Sequence, residues 1–260
     1  MEKPRVAVHK FASCDGCQLA LLNAGEALLA LATRVRFVHF AEAGIVDPEA
    51  EADIALVEGS ITTAHDATRI CDVRARSRYL VSLGACATAG GIQALRNGRM
   101  RQGDWLAAVY ARPEMLDALD TSTPIAEHVK VDLELPGCPV SPRQVMAALA
   151  DLLLGVRPRR EPDSVCLECK RAGQICVLVA KGEPCLGPVT HGGCGALCPA
   201  HQRACYGCFG PAEQVNGAAL VARFQELGLR AEEARQRFLF IAAGAQAFRR
   251  AAGEDHDATP

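Results

Sequence analysis

The sequence predicts an α/β protein: a parallel sheet with helices on both faces, followed by a small irregular cysteine-rich domain and a helical tail. Three observations carry this. Short β-branched runs alternate with Ala/Leu-rich segments from Pro4 to Leu154, the pattern that right-handed crossovers turn into a parallel sheet covered on both faces. Between Cys166 and Cys208 eight cysteines crowd among glycines and prolines. After Pro211 the composition changes again, to helical segments that carry Phe224, Phe238, Phe240 and Phe248.

Taken in order, Pro4 to His9 is a strand, and Phe11 to Cys17 a loop. Gln18 to Ala32 is a long helix, and Val35 to Phe40 a second strand. Ile54 to Val57 is a third strand ending in Glu58-Gly59-Ser60, and His65 to Arg76 is helical. Tyr79 to Leu83 is a fourth strand opening into Gly84 to Gly91, and Val129 to Leu135 a fifth ending in Pro136-Gly-Cys138-Pro. The helix Arg143 to Leu154 closes the unit. Gly155 to Asp163 is Pro- and Arg-rich without periodicity, a boundary. Beyond the cysteines, Asn216 is placed to cap a helix over Gly217 to Leu227, and Arg230 to Phe248 makes another. The four phenylalanines are expected to cover the cysteine segment or to grip another subunit, and Gly253 to Pro260 to be disordered.

With 260 residues, half of them apolar, the chain can build one full core plus a small appended domain. Its formal net charge of −2 and the absence of a basic stripe argue against nucleic acid or an anionic membrane as partner. No charged leader precedes the first strand, and the longest apolar runs are too short to span a bilayer, so a soluble cytoplasmic protein is expected. Thirteen cysteines, an odd count in such a compartment, then speak against disulfides and for metal ligation.

The cysteines fall into two groups. Cys14 and Cys17 follow strand one, Cys86 strand four and Cys138 strand five. All four therefore lie beyond the carboxyl ends of parallel strands, where open α/β sheets bind their ligands. Three loops converging with four thiols make a Cys₄ site, and Gly84, Gly90, Gly91 and Gly137 leave room for a bulky group. Flavin at this edge would call for a hydroxyl- and glycine-rich phosphate loop after strand one, where this chain has Cys-Asp-Gly-Cys. Cys71, alone in a helix, is read as a buried structural cysteine. The second group is Cys166, Cys169, Cys176, Cys185, Cys194, Cys198, Cys205 and Cys208, in a segment too short and too broken to form a core of its own. Eight thiols suit two cubane iron–sulfur clusters or two zinc ions, and local spacing alone leaves both open.

The motifs SCDGC, VEGS, GACATAGGIQA and LPGCPVSP, in this order and spacing, resemble the small-subunit signature of nickel–iron hydrogenases. The domain also occurs in the cluster-carrying subunit of respiratory complex I, but that relative has adjacent cysteines where this chain has Cys14-x-x-Cys17. The resemblance implies a flavodoxin-like domain over 1–155, a two-cluster iron–sulfur segment over 156–211 and a helical tail over 212–260. It implies that Cys14, Cys17, Cys86 and Cys138 hold a proximal [4Fe–4S] cluster, with Glu58 either near it or a surface carboxylate. The order in the family suggests Cys185, Cys198, Cys205 and Cys208 for a medial cluster and Cys166, Cys169, Cys176 and Cys194 for a distal one, with Cys194 and Cys198 interchangeable. No histidine precedes the motif where membrane-linked relatives use one as a distal ligand, so the segment is similar to that of cytoplasmic hydrogenases. With twelve cysteines assigned, His191 and His201 are left a supporting or surface role, and Lys170, Arg171 and Lys181 tune the clusters, dock an acidic partner or are simply solvated.

The resemblance further implies a nickel–iron large subunit as partner, because that subunit needs two Cys-x-x-Cys pairs, one near each end, and this chain closes in the cysteine-free EDHDATP. Three [4Fe–4S] clusters would then pass electrons to flavin/iron–sulfur subunits that bind NADP or NAD. The alternatives are a heterodisulfide-reductase-linked hydrogenase, a non-hydrogenase electron-transfer subunit and, least favoured, a zinc-stabilised assembly module.

Overall fold

A computed structural model describes residues 2–97, 102–158 and 163–254, in two compact units divided near residue 160. The first unit is built on five strands: β1 (Arg5–Lys10), β2 (Arg36–Phe40), β3 (Ala52–Glu58), β4 (Ser77–Leu83) and β5 (Leu133–Leu135). All pair in parallel, in the order β2-β1-β3-β4-β5. This is the flavodoxin-like order, in which the topology switches between β1 and β3 and the loops leaving those strands diverge to open a crevice.

The period-two alternation of strand side chains splits the core. Val6, Val8, Ile54, Leu56, Val81 and Leu83 face one side, where they meet Leu21 of α1 (Gly16–Leu22) and Val145 and Leu149 of α6 (Pro142–Leu153). On that side α2 (Glu26–Arg34) contributes Leu31. Ala55, Val57 and Leu80 face the other side and meet Ile70 and Val73 of α3 (Ala64–Ala75) and Ala87 of α4 (Gly84–Ala89). A further helix, α5 (Gln102–Val109), precedes an irregular stretch leading to β5.

Three expectations change in detail. The single helix over Gln18 to Ala32 is two helices, α1 and α2, because Gly25 at φ 57° turns the chain between them. The fifth strand shrinks to Leu133–Leu135: Val129 and Val131 instead pack on the core, and Asp132 spends its carboxylate on the Leu80 N–H (2.8 Å) and on Arg74 (2.6 Å). Cys71 is exposed, its thiol donating to the Ala67 carbonyl one turn back.

The second unit contains the cysteine segment and the C-terminal helices. Short helices α7 (Val165–Arg171), α8 (Val177–Ala180) and α9 (Leu197–Ala200) carry or flank cysteines. They are followed by α10 (Gly217–Glu226), α11 (Ala231–Gln236) and α12 (Gln246–Ala252). The Asn216 side chain caps α10, accepting the Ala219 N–H at 3.1 Å. The stretch expected as one helix over Arg230 to Phe248 is two, α11 and α12, joined by turns. Phe224, Phe238 and Phe248 are buried against one another, and a side chain on Gly207 would meet the Phe248 ring at 3.2 Å. The tail thus lies over the Cys205–Cys208 turn. The part of the C-terminus expected to be disordered lies outside the described residues from 255 onward.

Candidate iron–sulfur sites

Four cysteines meet at the carboxyl edge of the sheet. Asp15, at φ 64°, starts α1 in a left-handed conformation and is held by Lys10 at 2.6 Å, which turns Cys14 outward and Cys17 inward. Glu58, buried at the end of β3, accepts the backbone N–H groups of Cys17 and Gln18, each at 3.1 Å. The free start of α1 is thereby capped by a carboxylate from a different strand. The Cys86 thiol donates to the Gln93 side-chain oxygen at 3.5 Å, and the same amide donates to the Ala12 carbonyl at 2.8 Å. One side chain so ties the loop after β4 to the loop after β1. The third loop is fixed by the Ala85 N–H on the Gly137 carbonyl (2.7 Å) and by the Val140 N–H on the Cys17 sulfur (3.5 Å).

The space beside these sulfurs is kept by glycine. A side chain on Gly84 would put its Cβ 2.3 Å from the Cys17 sulfur, and one on Gly91 2.6 Å from that of Cys86. Burial pushes the Cys17 thiol up to about 12, with the charges of Glu58, Cys86 and Cys138 adding to it. Burial likewise pushes Cys86 up to about 11, helped by Cys138 and Cys14, and raises Cys138, helped by Cys14. Cys17, Cys86 and Cys138 are thus each raised with a neighbouring cysteine of this set among the causes. Among the described residues no three His, Cys, Asp or Glu side chains converge tightly enough to hold a single metal ion.

In the second unit Cys166, Cys169, Cys176 and Cys185 line one apolar pocket with Val165, Val177 and Gly187. A Cβ on Gly187 would touch the sulfurs of both Cys166 and Cys185 at 3.4 Å. Burial pushes Cys166 up to about 11, reinforced by Cys185, Cys176 and Cys169. Cys198 is raised by burial and then by Cys194. Cys205 is pushed up to about 12 by burial, with Cys185 and Cys208 among its neighbours. The geometry departs at one pair from the division suggested by family order. Cys185 lies in the pocket of Cys166, Cys169 and Cys176, with Gly187 beside its sulfur and that of Cys166, while Cys194 neighbours Cys198. One link runs between the groups: the Cys205 N–H donates to the Cys185 sulfur at 3.2 Å.

All thirteen cysteines lie in the described residues and none is in a disulfide. The His191 ring is engaged with the Gly192 carbonyl at 2.6 Å, and His201 is exposed. Arg171 is paired with Asp163, and Lys181 donates to Gln202 at 2.7 Å. Two polar residues were not singled out in the sequence: Gln93 and Glu168. The signal available for Glu168 was its place inside Cys166-x-x-Cys169; for Gln93 there was only its nearness to the glycine-rich turn.

Residues 14–152 match the family described as NADH ubiquinone oxidoreductase, 20 kDa subunit. The chain belongs to this family. Proteins similar to it include hydrogenase subunits. Sulfhydrogenase 2 subunit delta of Pyrococcus furiosus is 35% identical over 224 residues, covering 86% of this chain and 93% of its own. A subunit of the vhu F420-non-reducing hydrogenase of Methanocaldococcus jannaschii is 30% identical, covering 86% of this chain and 90% of its own. Among solved structures, a chain of an NAD⁺-reducing [NiFe]-hydrogenase in the H₂-reduced state matches with a TM-score of 0.56 and 34% identity. That match covers 62% of this chain and 96% of the other. The likeness to hydrogenase small and delta subunits expected from the motifs is thus found in whole-chain comparison.

Proposed function

We propose that this chain is the electron-transfer small subunit of a soluble, bidirectional nickel–iron hydrogenase. It holds three [4Fe–4S] clusters and connects the nickel–iron site of a large partner subunit with a flavin/iron–sulfur partner that binds NAD(P). It contains no nickel–iron site of its own. The observation that carries the reading is the convergence of Cys14, Cys17, Cys86 and Cys138 from three loops on the carboxyl edge of the sheet, around a space that glycines keep clear.

When bound, a [4Fe–4S] cluster supplies reversible one-electron chemistry. The chain's own residues prepare for it. Cys14, Cys17, Cys86 and Cys138 form one ligand set. Cys166, Cys169, Cys176 and Cys185 form a second, and Cys194, Cys198, Cys205 and Cys208 a third. Thiols raised by burial are protonated at neutral pH, so ligation expels their protons and is coupled to the ordering of the loops. Glu58 fixes Cys17 to the end of β3 and Gln93 ties Cys86 to the loop after β1, and N–H groups such as those of Val140 and Cys205 already point at sulfurs. Hydrogen bonds of this kind tune a cluster's potential.

The test is anaerobic purification with the co-expressed partner chains. The expected protein is brown, holds about twelve irons in three Cys₄ sets, and co-purifies with a chain bearing two Cys-x-x-Cys pairs. Colourless protein loaded with zinc would refute it.

A second reading of the acceptor is favoured by coverage. The match to the NAD⁺-reducing structure leaves more than a third of this chain without a counterpart, whereas the sulfhydrogenase and F420-non-reducing relatives span 86% of it. A heterodisulfide-reductase-linked partner is the alternative, and the redox chains that co-purify distinguish the two.

A further inference from the structure

The second and third cysteine sets share a residue that neither the motifs nor the family assigns. Glu168 lies between Cys166 and Cys169 on α7, and its carboxylate reaches across to the loop that carries Cys194. One oxygen accepts the Gly193 N–H at 2.8 Å. The other accepts the Ala196 N–H at 3.1 Å and lies 3.9 Å from the Cys194 sulfur. Ala196 has φ 55°, a left-handed backbone that a residue with a side chain adopts at a cost, and it starts α9, where Cys198 sits, without a side-chain cap of its own. The loop is pressed close: a Cβ on Gly192 would meet the Glu168 carboxyl carbon at 3.3 Å and the Asp163 carbonyl at 3.0 Å. Among the described residues no lysine or arginine pairs with Glu168, since the neighbouring Arg171 is taken by Asp163. Among the described residues the donors to the carboxylate are two backbone N–H groups and the Cys194 thiol.

We infer that Glu168 is a positioning residue common to both C-terminal sets: it holds the Cys194–Cys198 turn in place from the helix of Cys166 and Cys169, and it sets a fixed negative charge between the two groups. The inference rests on the function proposed above. Backbone N–H groups that would otherwise point at solvent or sulfur are drawn onto the carboxylate, and a negative charge beside a cluster disfavours its reduced, more negative state. Both C-terminal centres therefore have lower potentials than they would with a neutral residue at 168. None of Cys14, Cys17, Cys86 and Cys138 takes part in this network of hydrogen bonds.

The experiment is a redox titration, followed by electron paramagnetic resonance, on the complete protein with its partner subunits, comparing wild type with Glu168→Gln and Glu168→Asp. In Glu168→Gln the midpoints of both C-terminal centres should shift upward together while that of the sheet-edge centre stays. In Glu168→Asp, which keeps the charge, they should stay near the wild-type values. If Glu168→Gln fails to load, iron should fall from about twelve to about four, with the sheet-edge signal retained, which supports a shared anchoring role. A shift or loss confined to one C-terminal centre, an equal shift of all three, or no shift would overturn it. Wild-type protein with fewer than three centres would instead overturn the proposed function, and is read from the iron content before any variant is made.

Discussion

The Glu58 carboxylate at the end of β3 receives the N–H groups of Cys17 and Gln18 at the start of α1, both at 3.1 Å. Burial raises its pKa, and those two N–H bonds act in the opposite direction. The group is a cap supplied across the topological switch between β1 and β3, and it fixes Cys17, the buried one of the four sheet-edge cysteines. Glu58→Ala leaves two buried N–H groups without a partner, at a cost of about 1–3 kcal/mol. Denaturant unfolding of the metal-free chain should show that loss. The sheet-edge centre should be missing from the spectrum while the other two persist. Glu58→Gln, which keeps an acceptor, should be milder on both counts.

Gly84 offers a sharper steric test. Its φ of 81° already excludes a comfortable side chain, and an added Cβ would stand 2.3 Å from the Cys17 sulfur. Gly84→Ala should therefore strain the backbone by about 1 kcal/mol or more and displace Cys17. Iron content should drop by about a third with no change in the C-terminal signals. Full iron loading in this variant would show that the space beside Cys17 is not used.

The division of the eight C-terminal cysteines can be read from paired losses. Cys185→Ser should abolish the same spectroscopic signal as Cys166→Ser, and Cys194→Ser the same one as Cys198→Ser and Cys208→Ser. Grouping of Cys185 with Cys198 would restore the division suggested by family order and disprove the one drawn from the shared pocket.

Much of this was legible in the sequence because it is local. β-branched runs and helical periodicity located the first four strands to within a few residues, and the carboxyl-edge address of Cys14, Cys17, Cys86 and Cys138 followed from strand order alone. Gly25 was visible, but whether a glycine kinks or ends a helix depends on what its two halves pack against. The partners of Glu58 and Glu168 were not visible, since each carboxylate acts 25 or more residues away, on Cys17, Gln18, Gly193 and Ala196. The place of Cys185 was hidden for a related reason. In a segment with only short helices, spacing carries little information about which sulfurs share a pocket.

Stability should fall in mild acid for a reason unconnected with the cysteines. His9 on β1 is buried, stacks on His39 of β2 at 4.7 Å, and has no hydrogen-bond partner at Nδ1 among the described residues. Burial lowers its pKa from 6.5 to about 3, and the neighbouring His39, Arg69 and Arg76 push the same way. His39 is lowered too, by burial and by Arg69, against the opposing charge of Asp47. A histidine held neutral in the fold but free to protonate when unfolded leaves stability intact above pH 6.5. It withdraws stability as the pH falls from there toward 3, by about 2 kcal/mol at pH 5 for a single site. His9→Leu should remove that share of the slope: unfolding midpoints of the metal-free chain at pH 7 and pH 5 should lie closer together in the variant than in the wild type. Equal slopes would mean that His9 is protonated in the folded protein, which its burial beside two arginines and a second histidine argues against.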